Sequence, residues 1–120
     1  MLDANLLLRT AAVADLTASV TGSFVDFGDS GVAGLSFMVM VPQDSAADTL
    51  DIEIQGSTDG VAANEDQFQI LPQITAKGVY RITITHSARW WRYDAVVGGA
   101  AINWGRVVIG PTFGGDYLKY

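Results

Sequence analysis

The stretch 79–97, VYRITITHSARWWRYDAVV, constrains this chain more than any other. Tyr80, Ile82 and Ile84 fall on one face of an extended chain, and Arg81, Thr83 and Thr85 fall on the other. That period of two belongs to a β-strand with one buried side. The pattern resumes after His86-Ser87-Ala88, with Trp91, Tyr93 and Ala95 on one face and Trp90, Arg92 and Asp94 on the other. It predicts two antiparallel strands joined by a turn at 86–88, a central hairpin against which the remaining strands are laid.

The rest of the chain reads as further short strands. Residues 17–27 form a strand region with Phe24 and Phe27 as candidate core residues, closed by the turn signal Gly28-Asp29-Ser30-Gly31. Residues 33–41, AGLSFMVMV, are almost continuously apolar and end at Pro42, as expected of a strand covered on both faces or buried in an oligomer contact. Residues 50–55 alternate cleanly, Leu50, Ile52 and Ile54 inward and Asp51, Glu53 and Gln55 outward, before the glycine-bounded turn GSTDG. Residues 68–74 resume strand character, and Pro72 places that end at an edge or a bend. Beyond Gly98-Gly99 a strand is expected over 101–109, with Gly105 as a bulge or a close approach of backbones and Gly110-Pro111 as its stop. The expectation is an all-β fold, an antiparallel β-sandwich of jelly-roll type with seven to eight short strands, in a single domain over 1–120. Residues 1–16 read as an N-terminal arm, and 112–120 as a C-terminal arm or edge strand. The apolar cluster Leu6-Leu7-Leu8 needs a surface, either its own sandwich or a neighbour's.

At 120 residues the chain can bury a real core without disulfide or metal staples, and it contains no cysteine. No apolar run reaches membrane-spanning length, and the opening MLDANLLLR, acidic and short, reads as the start of a mature chain rather than a leader. The formal charge of −6 argues against a nucleic-acid partner. That charge is unevenly placed: residues 1–76 hold eleven acids and one base, Arg9, whereas 77–120 hold six bases and two acids. A sandwich draws each sheet from both halves, so this asymmetry need not become spatial; where it does, the subunit carries acidic and basic patches that meet copies of itself or a partner.

The residues support little chemistry. His86, the one histidine, has no cysteine to activate, and Ser57 and Ser87 sit in turns without a nucleophile-elbow pattern. Asp51 and Glu53 share a strand face about 7 Å apart, near the spacing of paired glycosidase carboxylates, but solvated alternation accounts for them. Loop acids Asp44, Asp48, Asp59, Glu65 and Asp66 lack the ordered ligand spacing of a calcium loop. No catalytic residue, cofactor or metal is assigned. Trp90, Trp91, Tyr93 and Trp104 offer two readings: a sugar-stacking platform, or one tryptophan in the core and another in a subunit interface, where tryptophan and arginine are enriched.

The opening Met1-Leu2-Asp3-Ala4, the stretch LDIEIQGSTDG at 50–60, RWWRYDAVVGG at 89–99 and the valine-rich strand at 107–109 resemble the small jelly-roll cement, or decoration, proteins of tailed-bacteriophage capsids. The resemblance implies a structural protein of the virion without catalysis. Such a protein binds the outer surface of an icosahedral shell as a dimer or trimer and bridges subunits of the major capsid protein. It implies no nucleic acid, membrane or cofactor. Candidate assembly contacts on this reading are Leu2, Leu6 and Leu7 in the N-terminal arm, Trp90 and Arg92 on the sheet, and Phe113, Tyr117 and Tyr120 in the C-terminal tail. The alternative is a carbohydrate-binding or tail-associated adhesion module of the same sandwich class.

Overall fold

The computed structural model describes residues 7–10, 13–27, 35–64, 68–84 and 88–113. Eight strands follow in order: β1 (Val20–Thr21), β2 (Val25–Asp26), β3 (Leu35–Val41), β4 (Thr49–Ser57), β5 (Phe68–Ile70), β6 (Gly78–Thr83), β7 (Trp90–Gly98) and β8 (Val108–Phe113). All pairings are antiparallel, and the described residues contain no helix. The larger sheet runs β1-β7-β4-β5, with β2 also on β7; the smaller runs β6-β3-β8. The two form a β-sandwich-like fold around one core.

The core follows from the alternation. On β4, Leu50, Ile52 and Ile54 point inward, and on β7 Trp91, Tyr93 and Ala95 do the same, all essentially fully buried. They face Phe37, Val39 and Val41 of β3 from the smaller sheet. The Phe37 and Trp91 rings meet at 5.7 Å between centroids, tilted by 56°, a favourable aromatic arrangement across the sheets. The Trp91 indole N–H is satisfied by the Ala88 carbonyl at 3.1 Å, which lets so large a side chain be fully buried.

Three expectations need correction. The central hairpin does not exist: β6 pairs with β3 in the smaller sheet, and β7 pairs with β4 in the larger one. Alternation reports that a strand has one buried face but not which strand lies beside it, and two strands facing each other across a core satisfy the pattern equally well. The last strand is also displaced. Residues 101–107 are irregular, β8 begins at Val108, and it runs through Gly110-Pro111 instead of stopping there. Pro111 stands opposite Phe37 in the ladder, and its missing N–H is tolerated because β8 is the outer strand of its sheet. Phe24, finally, lies on the outer surface of the larger sheet and not among the core residues, although Phe27 does pack against the core.

Gly105 brings two backbones together, as its position suggested. Its φ is +76°, and a Cβ there would stand 2.9 Å from Pro42 Cγ. The close approach of backbones is to residue 16: Leu16 N–H donates to the Gly105 carbonyl and Trp104 N–H to the Leu16 carbonyl, at 2.8 and 3.0 Å.

The described part of the N-terminal segment lies on its own sandwich. Leu8 and Leu16 belong to the core, and Arg9 bridges to Ile109 on the free side of β8. Arg9 is 3% exposed. Its side chain crosses to the larger sheet, where Nη1 donates to the Tyr93 hydroxyl at 3.0 Å, while Nη2 donates to the Ala14 carbonyl at 2.6 Å. Backbone in one sheet and guanidinium against the other make Arg9 a clasp. No carboxylate pairs with it among the described residues; the hydroxyl and carbonyl acceptors offset part of its burial, and Nε is left buried without a partner.

Two substitutions test this packing. Phe37→Ala should lower unfolding free energy by about 3–5 kcal/mol, and Tyr93→Phe, which leaves a buried charged donor without an acceptor, by about 1–3 kcal/mol. Urea titration followed by tryptophan fluorescence measures both; a Tyr93→Phe change of a few tenths of a kcal/mol would remove the clasp from the account.

Candidate assembly surfaces

The outward row of β7 is Trp90, Arg92 and Asp94, opposite Ser57, Gln55 and Glu53 of β4. Arg92 is held down on the sheet: its Nε donates to Gln55 Oε1 at 2.7 Å, and its guanidinium carbon lies 4.4 Å from the Phe24 ring centroid. Gln55 passes the interaction on, donating from Nε2 to Glu53 Oε1 at 2.6 Å. A cation fixed this way has already lost most of its rotamer freedom, so it presents a preorganised contact.

Trp90 is not an open plate. Gly60, at φ +74°, lies against its indole so closely that a Cβ would stand 2.7 Å from Cδ2. The Arg89 guanidinium carbon is 5.5 Å from the same ring system, and Arg89 grips Asp26 with two parallel bonds of 2.8 Å. The other tryptophans, Trp91 and Trp104, are fully buried.

The loop that carries Gly60 is built on hydroxyl and carboxylate caps. Asp59 Oδ1 accepts from Val61 N–H at 2.8 Å and Ala62 N–H at 3.1 Å, and Ser57 Oγ accepts from Gly60 N–H at 3.0 Å. These backbone donors, first Val61, hold the Asp59 carboxyl below its ordinary pKa. A lowered folded-state pKa contributes stability above the unfolded value and loses it as pH falls through the folded one. The other described loop acids are engaged by the protein as well. Asp44 accepts from Lys77 N–H at 2.7 Å, and Asp48 accepts from the Ser45 hydroxyl at 2.5 Å. Among the described residues no group of acids and histidine is placed to hold a metal ion.

The structure does not gather the remaining candidate contacts. Leu7 is half-buried beside Leu8, and Phe113 ends β8 with its backbone opposite Leu35. Leu2, Leu6, Tyr117 and Tyr120 lie outside the described residues, as do His86, Glu65, Asp66 and the turn at 28–31.

Sequence reasoning raised acidic and basic patches but did not show which outer face carries each. On the smaller sheet Met40 stands between Val79 and Val108, and Met38 between Arg81 and Gly110. Val79 is 65% exposed, and Lys77 and Arg106 flank that end. Strands β3, β6 and β8 contain no acid. On the larger sheet, Asp51 stands opposite Val96, and Glu53 between Asp94 and Ile70. Val96 and Ile70 are 50% and 65% exposed. Among the described residues the carboxylates of Asp51, Glu53 and Asp94 are met by amide and hydroxyl donors, from Gln73, Gln55 and Thr21. The signal was present in FMVMV, where the methionines alternate with the buried residues, and in the run of bases after residue 76.

No protein-family model and no curated protein matches this chain.

Gly60→Ala should cost about 1–3 kcal/mol and shift the Trp90 emission, since it needs both a left-handed backbone and displacement of the indole. The Asp59 carboxyl, followed by carbon-detected NMR, should titrate below an ordinary aspartate, and Asp59→Asn should abolish the loop's response to acid. A normal midpoint would contradict the capping geometry.

Proposed function

We propose that this chain is a structural protein of a virion: a capsid cement or decoration protein that binds the outer surface of an icosahedral phage shell and bridges neighbouring major capsid protein subunits. The observation that carries the reading is the distribution of exposed aliphatic residues, with Ile70 and Val96 on one outer face and Val79 on the other, each beside charge. Apolar residues rimmed by charge on flat sheet faces suit broad, individually weak protein contacts. Repetition on a lattice then turns weak contacts into firm attachment through effective concentration. The resemblance of 50–60 and 89–99 to phage decoration proteins points the same way.

A jelly-roll topology belongs to the same proposal. The chain changes sheets at every connection between successive strands except β1–β2 and β4–β5, the wrapping expected of that fold. The alternative, a carbohydrate-binding or tail-associated adhesion module, needs an open aromatic platform. Among the described tryptophans two are buried and Trp90 is covered by its loop, which leaves that reading without a stacking surface.

Cosedimentation with undecorated shells tests the proposal. The chain should pellet with the shells, saturate at a fixed ratio to the capsid subunit, and raise the temperature at which shells rupture. A chain left in the supernatant, or one that binds glycans and loses them on Trp90→Ala, would overturn it.

A further inference from the structure

The two outer faces of the sandwich differ in sign. The smaller sheet's face carries a hollow of about 560 Å³ lined by Met40, Pro42, Lys77, Val79, Arg106 and Val108, and Arg81 lies on the same face. Arg106 is partly engaged by Asp15 at 3.8 Å. Lys77 and Arg81 have no ion-pair partner among the described residues. The larger sheet's face presents Asp51, Glu53 and Asp94 between Ile70 and Val96, and no cation is ion-paired to these three carboxylates among the described residues. The smaller face thus combines exposed aliphatic side chains with basic charge, and the larger face combines them with net acidic charge, Arg92 there being tied to Gln55 and Arg89 to Asp26. In a protein of net charge −6, the basic face meets complementary charge on the acidic face of another copy.

We infer that copies of this chain associate heterologously, the Met40–Val79–Val108 face of one copy docking on the Asp51–Glu53–Asp94 face of the next. A two-fold contact is disfavoured on the smaller sheet's face, where it would set Lys77 and Arg81 against themselves, and like-charge juxtaposition is strongly unfavourable. A heterologous contact closes into a ring of three or more subunits or continues as an open stack, and a simple dimer is not among its products. This rests on the cement-protein reading only in assigning self-association a purpose; the contact itself is argued from the two faces.

Reciprocal charge reversal tests it in the absence of shells. Multi-angle light scattering and sedimentation at rising concentration in low salt should give the wild type as trimers or larger species, dissociating as salt screens the contact. Lys77→Glu/Arg81→Glu and Asp51→Lys/Glu53→Lys should each weaken association about tenfold or more with unchanged thermal midpoints, since all four residues lie on the surface. An equimolar mixture of the two variants should regain association, in hetero-oligomers with even numbers of subunits, because both altered junctions become complementary again. A wild type that is monomeric at every concentration, a discrete two-fold dimer, variants that associate normally, or a mixture that stays dissociated would each overturn the inference. Because shells are absent, failure here is separate from failure of the cement reading.

Discussion

The structure depends on the burial of Trp91 against Phe37 between two sheets that no described strand pairing joins. Around that contact the inward rows of β4 and β7 meet the inward row of β3, and each row fixes the parity of its strand. A slip of one residue in β7 would drive Trp90, Arg92 and Asp94 into the core; the same slip in β4 would bury Asp51 and Glu53. The cost of burying those charges locks the register. The outer faces are therefore consequences of the core: Glu53 and Asp94 stand side by side because Ile54 and Tyr93 must be inside.

The parity also explains why charge asymmetry along the chain becomes asymmetry in space. β4 comes from the acidic half and sets its carboxylates outward. β3 comes from the same half but turns outward methionines and a serine, so it adds no acid to the smaller sheet. β6 contributes Arg81 there, flanked by Lys77 and Arg106, while β7 from the basic half supplies Asp94 to the acidic face and ties Arg92 to Gln55. The halves mix in the sheets, yet the smaller sheet's face stays basic and the larger sheet's face net acidic. Arg9, the one base of the acidic half, is withdrawn from the surface to join the sheets through Tyr93.

Legibility in the sequence followed the physics. The inward residues of β4, β6 and β7 were readable because alternation is a local property of one strand. Strand partnership was not, because it depends on which buried face meets which across the core, and that is why β6 and β7 read as a hairpin. Pro111 reads locally as a stop, but position at the edge of a sheet removes the penalty. Phe24 reads as core because aromatic rings usually are, whereas here the ring is covered by the guanidinium of Arg92, 68 positions later in the chain. Trp90, Arg92 and Asp94 read as sharing one face of their strand, and that face is the outward row of β7. The Asp59 caps and Gly60 that cover Trp90 were legible only as a turn.

The central claim is that the two outer faces are contact surfaces in the assembled state. Hydroxyl-radical footprinting tests it most directly, comparing the chain dispersed at low concentration in high salt with the chain on decorated shells, because methionine and exposed aliphatic side chains report their own burial. The account predicts loss of reactivity at Met38, Met40, Val79, Ile70 and Val96 on assembly, with Trp90 little changed. Unaltered reactivity on both faces, or protection confined to the 57–64 loop and Trp90, would contradict it.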